Sequence, residues 1–157
     1  MATALGARDD EAWMEQAIEL AREAGAAGEV PVGALIVRDN RVIGRGRNRM
    51  QATGDPRAHA EMEAIADARA ITGSARLDGD TLYVTLEPCP LCAGAIVLTR
   101  IGRVVFGAWD PRLGECGSCF DVLGTGVLGD VLVRPEVLRD RCSSLLSEWF
   151  AAERRKD

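Results

Sequence analysis

The chain has 157 residues, of which 47% are hydrophobic, and its formal net charge is −5 at pH 7. This length and apolar content suit a compact domain that buries a core without the disulfide staples of very small proteins. The acidic balance excludes broad, unspecific nucleic-acid binding, which depends on cationic groups at phosphates, so any RNA contact has to be local.

The compartment is indicated by what the sequence does not contain. Residues 1–10 carry no basic flank leading into an apolar run, and no stretch approaches the roughly 18 apolar residues of a membrane helix. Five cysteines are an odd count, which fits a reducing compartment. We therefore expect a soluble, cytoplasmic protein that forms one domain over residues 1–157, with its core at about 10–155.

The first predicted elements are a helix and a hairpin. Asp10 can cap a helix that ends in the glycine-containing segment 25–28, with an apolar face formed by Trp13, Ala17, Leu20 and Ala24. The β-branched run 30–37 and the segment 41–46 are joined by Asp39-Asn40, so they are predicted to pair as two strands.

Helix and strand patterns alternate through the rest of the chain. Residues 59–71 favour a helix, 81–86 a strand, and Pro90 suits the first turn of a short helix that leads into a parallel strand at 101–108. Residues 109–129 are rich in turn formers; a short strand at 131–133 and a closing helix over 135–156 follow. The pattern predicts an α/β fold with a mixed sheet.

One histidine and two cysteines predict a metal site. His59 lies two residues before Glu61, and Cys89 and Cys92 follow in Pro-Cys-Pro-Leu-Cys. One imidazole and two thiolates leave a coordination position of zinc open for water, whereas a structural zinc site normally fills all four with protein. Glu61 could then act as the general acid and base. This spacing is typical of zinc deaminases that act on nucleobases.

A structural zinc site is the alternative interpretation of the same residues. It requires a fourth ligand, for which Cys116 or Cys119 is the available source, and it leaves Glu61 unexplained. Cys116 and Cys119 are otherwise expected to be packing or loop thiols, and Glu63 is expected at the surface.

Longer motifs resemble the bacterial tRNA-specific adenosine deaminases over roughly residues 12 to 155. They are Glu29-Val30-Pro31-Val32-Gly33-Ala34, Asn48, Asp55-Pro56 before His59-Ala60-Glu61, the block from Leu82 to Ala95, and the segment from Arg100 to Ala108. The resemblance implies a three-layer α/β/α sandwich around a five-stranded mixed sheet, as in the cytidine deaminase-like superfamily, and it implies a homodimer.

The same resemblance implies an activity and residue roles. The activity is hydrolytic conversion of adenosine to inosine at wobble position 34 of a tRNA, chiefly an arginine tRNA, with one Zn²⁺ per subunit and no organic cofactor. The expected partner is the tRNA anticodon stem-loop. His59, Cys89 and Cys92 would hold zinc, Glu61 would move protons, and Asn48 would hydrogen-bond the base. Asp110 would contact the ribose of a flanking nucleotide, which favours RNA over DNA.

One departure from the family keeps other functions open. Where such deaminases usually carry an Asn-His pair, the segment 121–130 of this chain has no histidine. A deaminase of a free base or nucleoside, of guanine or cytosine type, is therefore the second hypothesis. A zinc-stabilised interaction domain without enzymatic activity is the third.

Overall fold

A computed structural model describes residues 2–124, 126 and 129–157. Its helices and strands follow one another as α1 (Ala2–Ala26), β1 (Gly33–Arg38), β2 (Arg41–Arg47), α2 (Met50–Thr53), α3 (Ala60–Thr72), β3 (Thr81–Leu86), α4 (Pro90–Thr99), β4 (Arg103–Ala108), β5 (Leu132–Arg134) and α5 (Arg139–Arg154). Within these described residues, no helix has both the length and the apolar character required to cross a membrane.

The five strands form one mixed sheet in the order β2-β1-β3-β4-β5. The hairpin β1–β2 is antiparallel, and β3 joins the other side of β1, also antiparallel. Strands β3, β4 and β5 run parallel, with α4 forming the crossover between β3 and β4. The predicted hairpin and the predicted parallel crossover are both confirmed.

Alternate residues of each strand face opposite helical layers. Ile36, Val84 and Phe106 belong to a core formed with the alanines of α3 and with Ala93 and Ile96 of α4. Leu35 and Tyr83 face the other side and pack with residues of α1 and α5. This period-two alternation produces the three-layer α/β/α architecture, as predicted.

The predicted role of Asp10 as a helix cap is wrong. Helix α1 already begins at Ala2, so Asp10 lies inside it. Its buried carboxylate accepts hydrogen bonds from Tyr83 at 2.7 Å and from Arg103 at 2.6 and 2.8 Å, and it also pairs with Arg134. Asp10 therefore joins α1 to strands β3, β4 and β5.

The predicted closing helix also begins later than expected. Glu136 and Leu138 have φ values of 66° and 52°, which a right-handed helix does not allow, so α5 begins at Arg139 rather than at Pro135. The four-residue helix α2, in the loop before His59, was not predicted.

The Asp10 network generates a stability prediction. Burial alone would raise the pKa of Asp10, but hydrogen bonds from Arg103, Tyr83 and Arg134 outweigh it and hold the pKa below its usual range. We expect Asp10→Asn to reduce the free energy of unfolding by about 2–3 kcal/mol at pH 7, since Arg103 and Arg134 stay partly in water. Urea denaturation measures this change.

The pH dependence follows from the lowered pKa. The stabilisation is complete above the unfolded-state pKa of about 4 and is lost as pH falls through the lower folded-state pKa. The difference between wild type and Asp10→Asn should therefore shrink below about pH 4. Asp9→Asn, at the exposed neighbouring carboxylate, is the control and should change little. An equal loss at pH 7 and pH 2.5 would contradict this account.

Candidate active site

Two helix N-termini meet at one place on the sheet. His59 is the N-cap residue of α3, and Cys89 is the N-cap residue of α4, both in extended conformation. Pro90 begins α4, and Cys92 lies in its first turn. The free amides and the dipole at the start of α4 favour an anion there, which suits two thiolates.

Small residues set the depth at which α3 packs on the sheet. A Cβ added at Gly46 of β2 would lie 2.2 Å from the carbonyl oxygen of Ala60 and 2.4 Å from the amide of Ala64. Only glycine allows this approach, and it places the first turn of α3 directly on the strand. His59 and Glu61 are therefore positioned by backbone contact between α3 and β2.

The three predicted ligand atoms lie together. His59 Nδ1 is 3.4 Å from Cys89 Sγ and 3.5 Å from Cys92 Sγ. Tetrahedral zinc, with bonds of about 2.0 Å to nitrogen and 2.3 Å to sulfur, places such atoms roughly 3.5 Å apart. The spacing and the chemistry of the donors therefore both fit a zinc ion.

No fourth ligand of the usual types joins the cluster in the described part of the chain. Cys116 is buried, and burial raises the pKa of its thiol to about 12. Cys119 is exposed, and its thiol donates a hydrogen bond to the carbonyl oxygen of Pro111. The predicted interpretation of these two cysteines as packing and loop thiols fits this arrangement better than a four-ligand structural site does.

The groups around the cluster have strongly shifted pKa values. Burial raises the pKa of Glu61 to about 7, and only 4% of this residue is exposed. The hydrogen bond from Cys92 lowers the pKa of the Cys89 thiol to about 4, and the hydrogen bond with Cys89 raises the pKa of His59. A carboxyl group buried beside a thiolate and an imidazole can take up and release a proton near neutral pH.

A cavity of about 270 Å³ opens onto the cluster. It is lined by five of the six residues that were predicted for the site, His59, Glu61, Cys89, Asn48 and Asp110, while Cys92 is fully buried. The structure therefore brings all six residues to one place. Glu63, predicted at the surface, is partly exposed and pairs with Arg49.

Hydrogen bonds to the backbone orient the two predicted substrate contacts. The Asn48 Nδ2 donates to the carbonyl oxygen of Val30 at 3.3 Å, and its Oδ1 accepts from the Met50 amide at 3.2 Å. The Asp110 Oδ1 accepts from the amides of Arg112 and Leu113 at 3.0 and 3.4 Å. Both side chains are almost completely buried and fixed at the cavity.

A second cavity of about 520 Å³ adjoins the first and shares Asp110 and Arg112 with it. Its other walls include Trp109, Phe150 and Arg154, which bring two aromatic rings and a second guanidinium group. Together the two cavities form a groove that runs from the cluster to α5. The charged residues that line this groove are Arg112 and Arg154, together with Asp110, Glu61 and Glu87 toward the cluster.

Two buried carboxylates at this site were not singled out as functional residues in the sequence. Glu29 accepts hydrogen bonds from the amides of Gln51 and Ala52 at 2.7 and 3.0 Å, and Glu87 accepts from the segment after β4. Both residues occur within the motifs of the family resemblance, but most of their hydrogen-bond partners are backbone amides, which residue types in a sequence do not reveal. The segment 124–130, where the family histidine is missing, includes Thr125, Val127 and Leu128, which lie outside the described residues.

Comparison with known proteins identifies the class. Residues 7–108 match the cytidine and deoxycytidylate deaminase zinc-binding region, and the chain belongs to this family of zinc-dependent deaminases. The tRNA-specific adenosine deaminase of Bacillus subtilis (strain 168) is 43% identical over 94% of this chain and 92% of its own length. That of Haemophilus influenzae is 46% identical over 92% of this chain and 85% of its own length.

Solved structures agree with this classification. A structure from studies of A-to-I editing by tRNA:A34 deaminases at the wobble position of transfer RNA has a TM-score of 0.79 and 41% identity, covering 85% of this chain and 98% of that one. A guanine deaminase from Nitrosomonas europaea has a TM-score of 0.81 and 26% identity, covering 90% and 84%. The predicted cytidine deaminase-like fold and a zinc-dependent deaminase are thus confirmed.

We expect purified protein to hold one zinc ion per chain. Because a metal that binds only the folded state stabilises it, removing zinc with a chelator should lower Tm by about 10 °C. Cys92→Ser should lose zinc, whereas Cys119→Ser, at an exposed thiol outside the cluster, should keep it. Elemental analysis and calorimetry measure both effects, and a Cys119→Ser protein without zinc would contradict the assignment.

Proposed function

We propose that this chain deaminates adenosine to inosine at the wobble position of a tRNA anticodon, with an arginine tRNA as substrate. The observation that carries the proposal is a three-donor metal cluster beside the buried Glu61, at the end of a groove that also holds Asn48 and Asp110. The relatives that are 43% and 46% identical are tRNA-specific adenosine deaminases, which supports this substrate. The whole chain would act as one deaminase domain.

The residues divide the chemistry among them. Zinc, held by His59, Cys89 and Cys92, would supply the Lewis acidity that makes water nucleophilic at neutral pH. Glu61 takes one proton from the attacking water, as the water oxygen bonds to C6 of adenine, and delivers this proton to N1. It then takes the remaining proton from the same oxygen and delivers it to the departing amine, so that the C6–N6 bond breaks and ammonia leaves.

Asn48 and Asp110 orient the substrate. The Asn48 amide offers a donor and an acceptor at the cavity and is already held by the backbone at Val30 and Met50, so little ordering is required on binding. Asp110, at the junction of the two cavities, accepts a hydrogen bond from the 2′-hydroxyl of a flanking nucleotide. This contact favours RNA over DNA.

Glu61→Ala tests the proton-transfer role. With an arginine-tRNA anticodon stem-loop that carries adenosine at the wobble position, the variant should form inosine at least about 10²–10⁴-fold more slowly than wild type, because it lacks the acid and base. It should still bind one zinc per chain, since Glu61 is not a ligand.

Glu63→Ala is the matched control on the same helix. Glu63 is partly exposed and paired with Arg49, so this variant should keep nearly full activity. Equal activity of the Glu61→Ala variant and wild type would contradict the proposal. Absence of inosine from zinc-loaded wild type would remove tRNA as the substrate.

Guanine is the second candidate substrate. A guanine deaminase has a TM-score of 0.81 to this chain, slightly above the 0.79 of the tRNA deaminase structure, although its identity is only 26%. Release of ammonia from free guanine without inosine formation in RNA would favour this function. The second cavity beside the first and the higher identity to tRNA-specific relatives favour RNA.

We also propose that the protein is a cytoplasmic homodimer. All five cysteines are free, which suits a reducing compartment. On α4, Leu91 is 40% exposed and Leu98 is 82% exposed, and these residues lie two helical turns apart on one face. This apolar face begins directly beside the cluster and is suited to a second copy of the chain.

Leu98→Glu should convert the dimer to a monomer, because it puts a charge into the centre of the proposed apolar interface. Ile71→Glu, at a residue of α3 that is 63% exposed, is the control and should leave the dimer intact. Sedimentation velocity distinguishes the two species. A wild-type protein that is monomeric at micromolar concentration would contradict the homodimer.

A further inference from the structure

Glu87 is a buried carboxylate without a cationic partner among the ion pairs of the described residues. It follows the last residue of β3 and stands two positions before Cys89. Burying a charge is unfavourable unless hydrogen bonds replace the lost water. The hydrogen bonds that Glu87 accepts therefore have to offset the cost of burying its charge beside the cluster.

Both carboxylate oxygens of Glu87 accept hydrogen bonds from one segment, residues 109–119, which we call the wall loop. Oε1 accepts from the Asp110 amide at 3.0 Å and from the Ser118 hydroxyl. Oε2 accepts from the amides of Cys116 and Ser118 at 2.9 and 3.1 Å. Hydrogen bonds to an ionised acceptor are stronger than neutral ones, so this single carboxylate holds both ends of the loop.

The middle of the wall loop lies directly against the same carboxylate. A Cβ added at Gly114 would lie 2.2 Å from Cδ and from Oε1 of Glu87, so only glycine fits. The Glu115 amide donates to the carbonyl oxygen of Pro88 at 3.0 Å, and the Glu87 amide donates to that of Ala108 at 2.8 Å. The wall loop is thus folded around Glu87 and attached to the chain on both sides of it.

The wall loop supplies one side of the substrate cavity through Asp110, Arg112 and Leu113. The backbone of Asp110 is itself held by Glu87, and Glu87 is connected to Cys89 through one proline. This carboxylate therefore sets the distance between the metal cluster and the residues that face the substrate.

We infer that Glu87 is a positioning residue that holds the wall loop in the conformation able to bind RNA. The inference rests on the proposed function, because RNA is the ligand whose affinity it predicts. If the loop leaves this conformation in some molecules, the apparent affinity equals the intrinsic affinity multiplied by the fraction of molecules that stay competent. The reacting groups, which lie on α3 and α4, stay in place.

Glu87→Gln is the direct test, since it keeps the shape of the side chain but replaces one acceptor oxygen with a donor. With the wobble-adenosine anticodon stem-loop, KM should rise about 10- to 100-fold, which corresponds to the loss of one or two charged hydrogen bonds. The kcat and the zinc content should stay within a factor of about three. Hydrogen exchange of the amides of Asp110, Cys116 and Ser118 should accelerate selectively.

Two further variants separate positioning from stability. Asp80→Asn removes a buried carboxylate at the other end of β3, where it binds Arg38, so it should lower Tm without changing KM. Ser118→Ala removes one hydroxyl donor to Glu87 and should raise KM less than Glu87→Gln does. In the double variant Glu87→Gln/Ser118→Ala, the rise of KM should be smaller than the two single effects combined, because both changes act on one contact.

Three results would overturn the inference. They are an unchanged KM with unchanged amide exchange in Glu87→Gln, a loss of activity in proportion to lost zinc, and an equal rise of KM in Asp80→Asn. Hydrogen exchange needs no substrate. If wild type forms no inosine, the proposed function fails while the exchange of the three amides still decides whether Glu87 holds the loop.

Discussion

The N-termini of α3 and α4 converge over one face of the sheet, and the other features of the site depend on that convergence. Both helices pack on the core face formed by residues such as Ile36, Val84 and Phe106. Gly46 permits α3 to lie against β2, and the β3-α4-β4 crossover places the start of α4 beside it. His59 and the two thiols meet at the distances that zinc requires because two backbone elements fix them.

The same convergence explains how one buried acid can serve a hydrolytic reaction. Glu61 lies on the first turn of α3, at the bottom of a cavity, and burial holds its pKa near 7. Two loops form walls of this cavity, and a buried carboxylate holds each loop through backbone amides. Glu29 holds the loop on the side of Asn48, and Glu87 holds the loop on the side of Asp110. The predicted metal ligands and Glu61 thus lie at the starts of two helices, while Asn48 and Asp110 lie on loops that buried carboxylates hold.

Much of this arrangement could be predicted from local pattern. The β-branched run before Asp39-Asn40, the proline in the first turn of α4, and the spacing of His59, Glu61, Cys89 and Cys92 each have a local physical cause. The errors arose where residues far along the chain determine the local structure. Asp10 has the chemistry of a cap, but Arg103 and Arg134 bind it inside a longer helix. Glu136 and Leu138 adopt left-handed conformations that their residue types do not indicate, and they delay the start of α5.

X-ray absorption at the zinc edge of the purified protein measures whether the cluster is an open three-ligand zinc site. For an open site we expect two sulfur neighbours at about 2.3 Å, with nitrogen and oxygen neighbours at about 2.0–2.1 Å completing the shell. Three or four sulfur neighbours would show that Cys116 or Cys119 closes the site. That result would make the zinc structural and contradict the proposed chemistry.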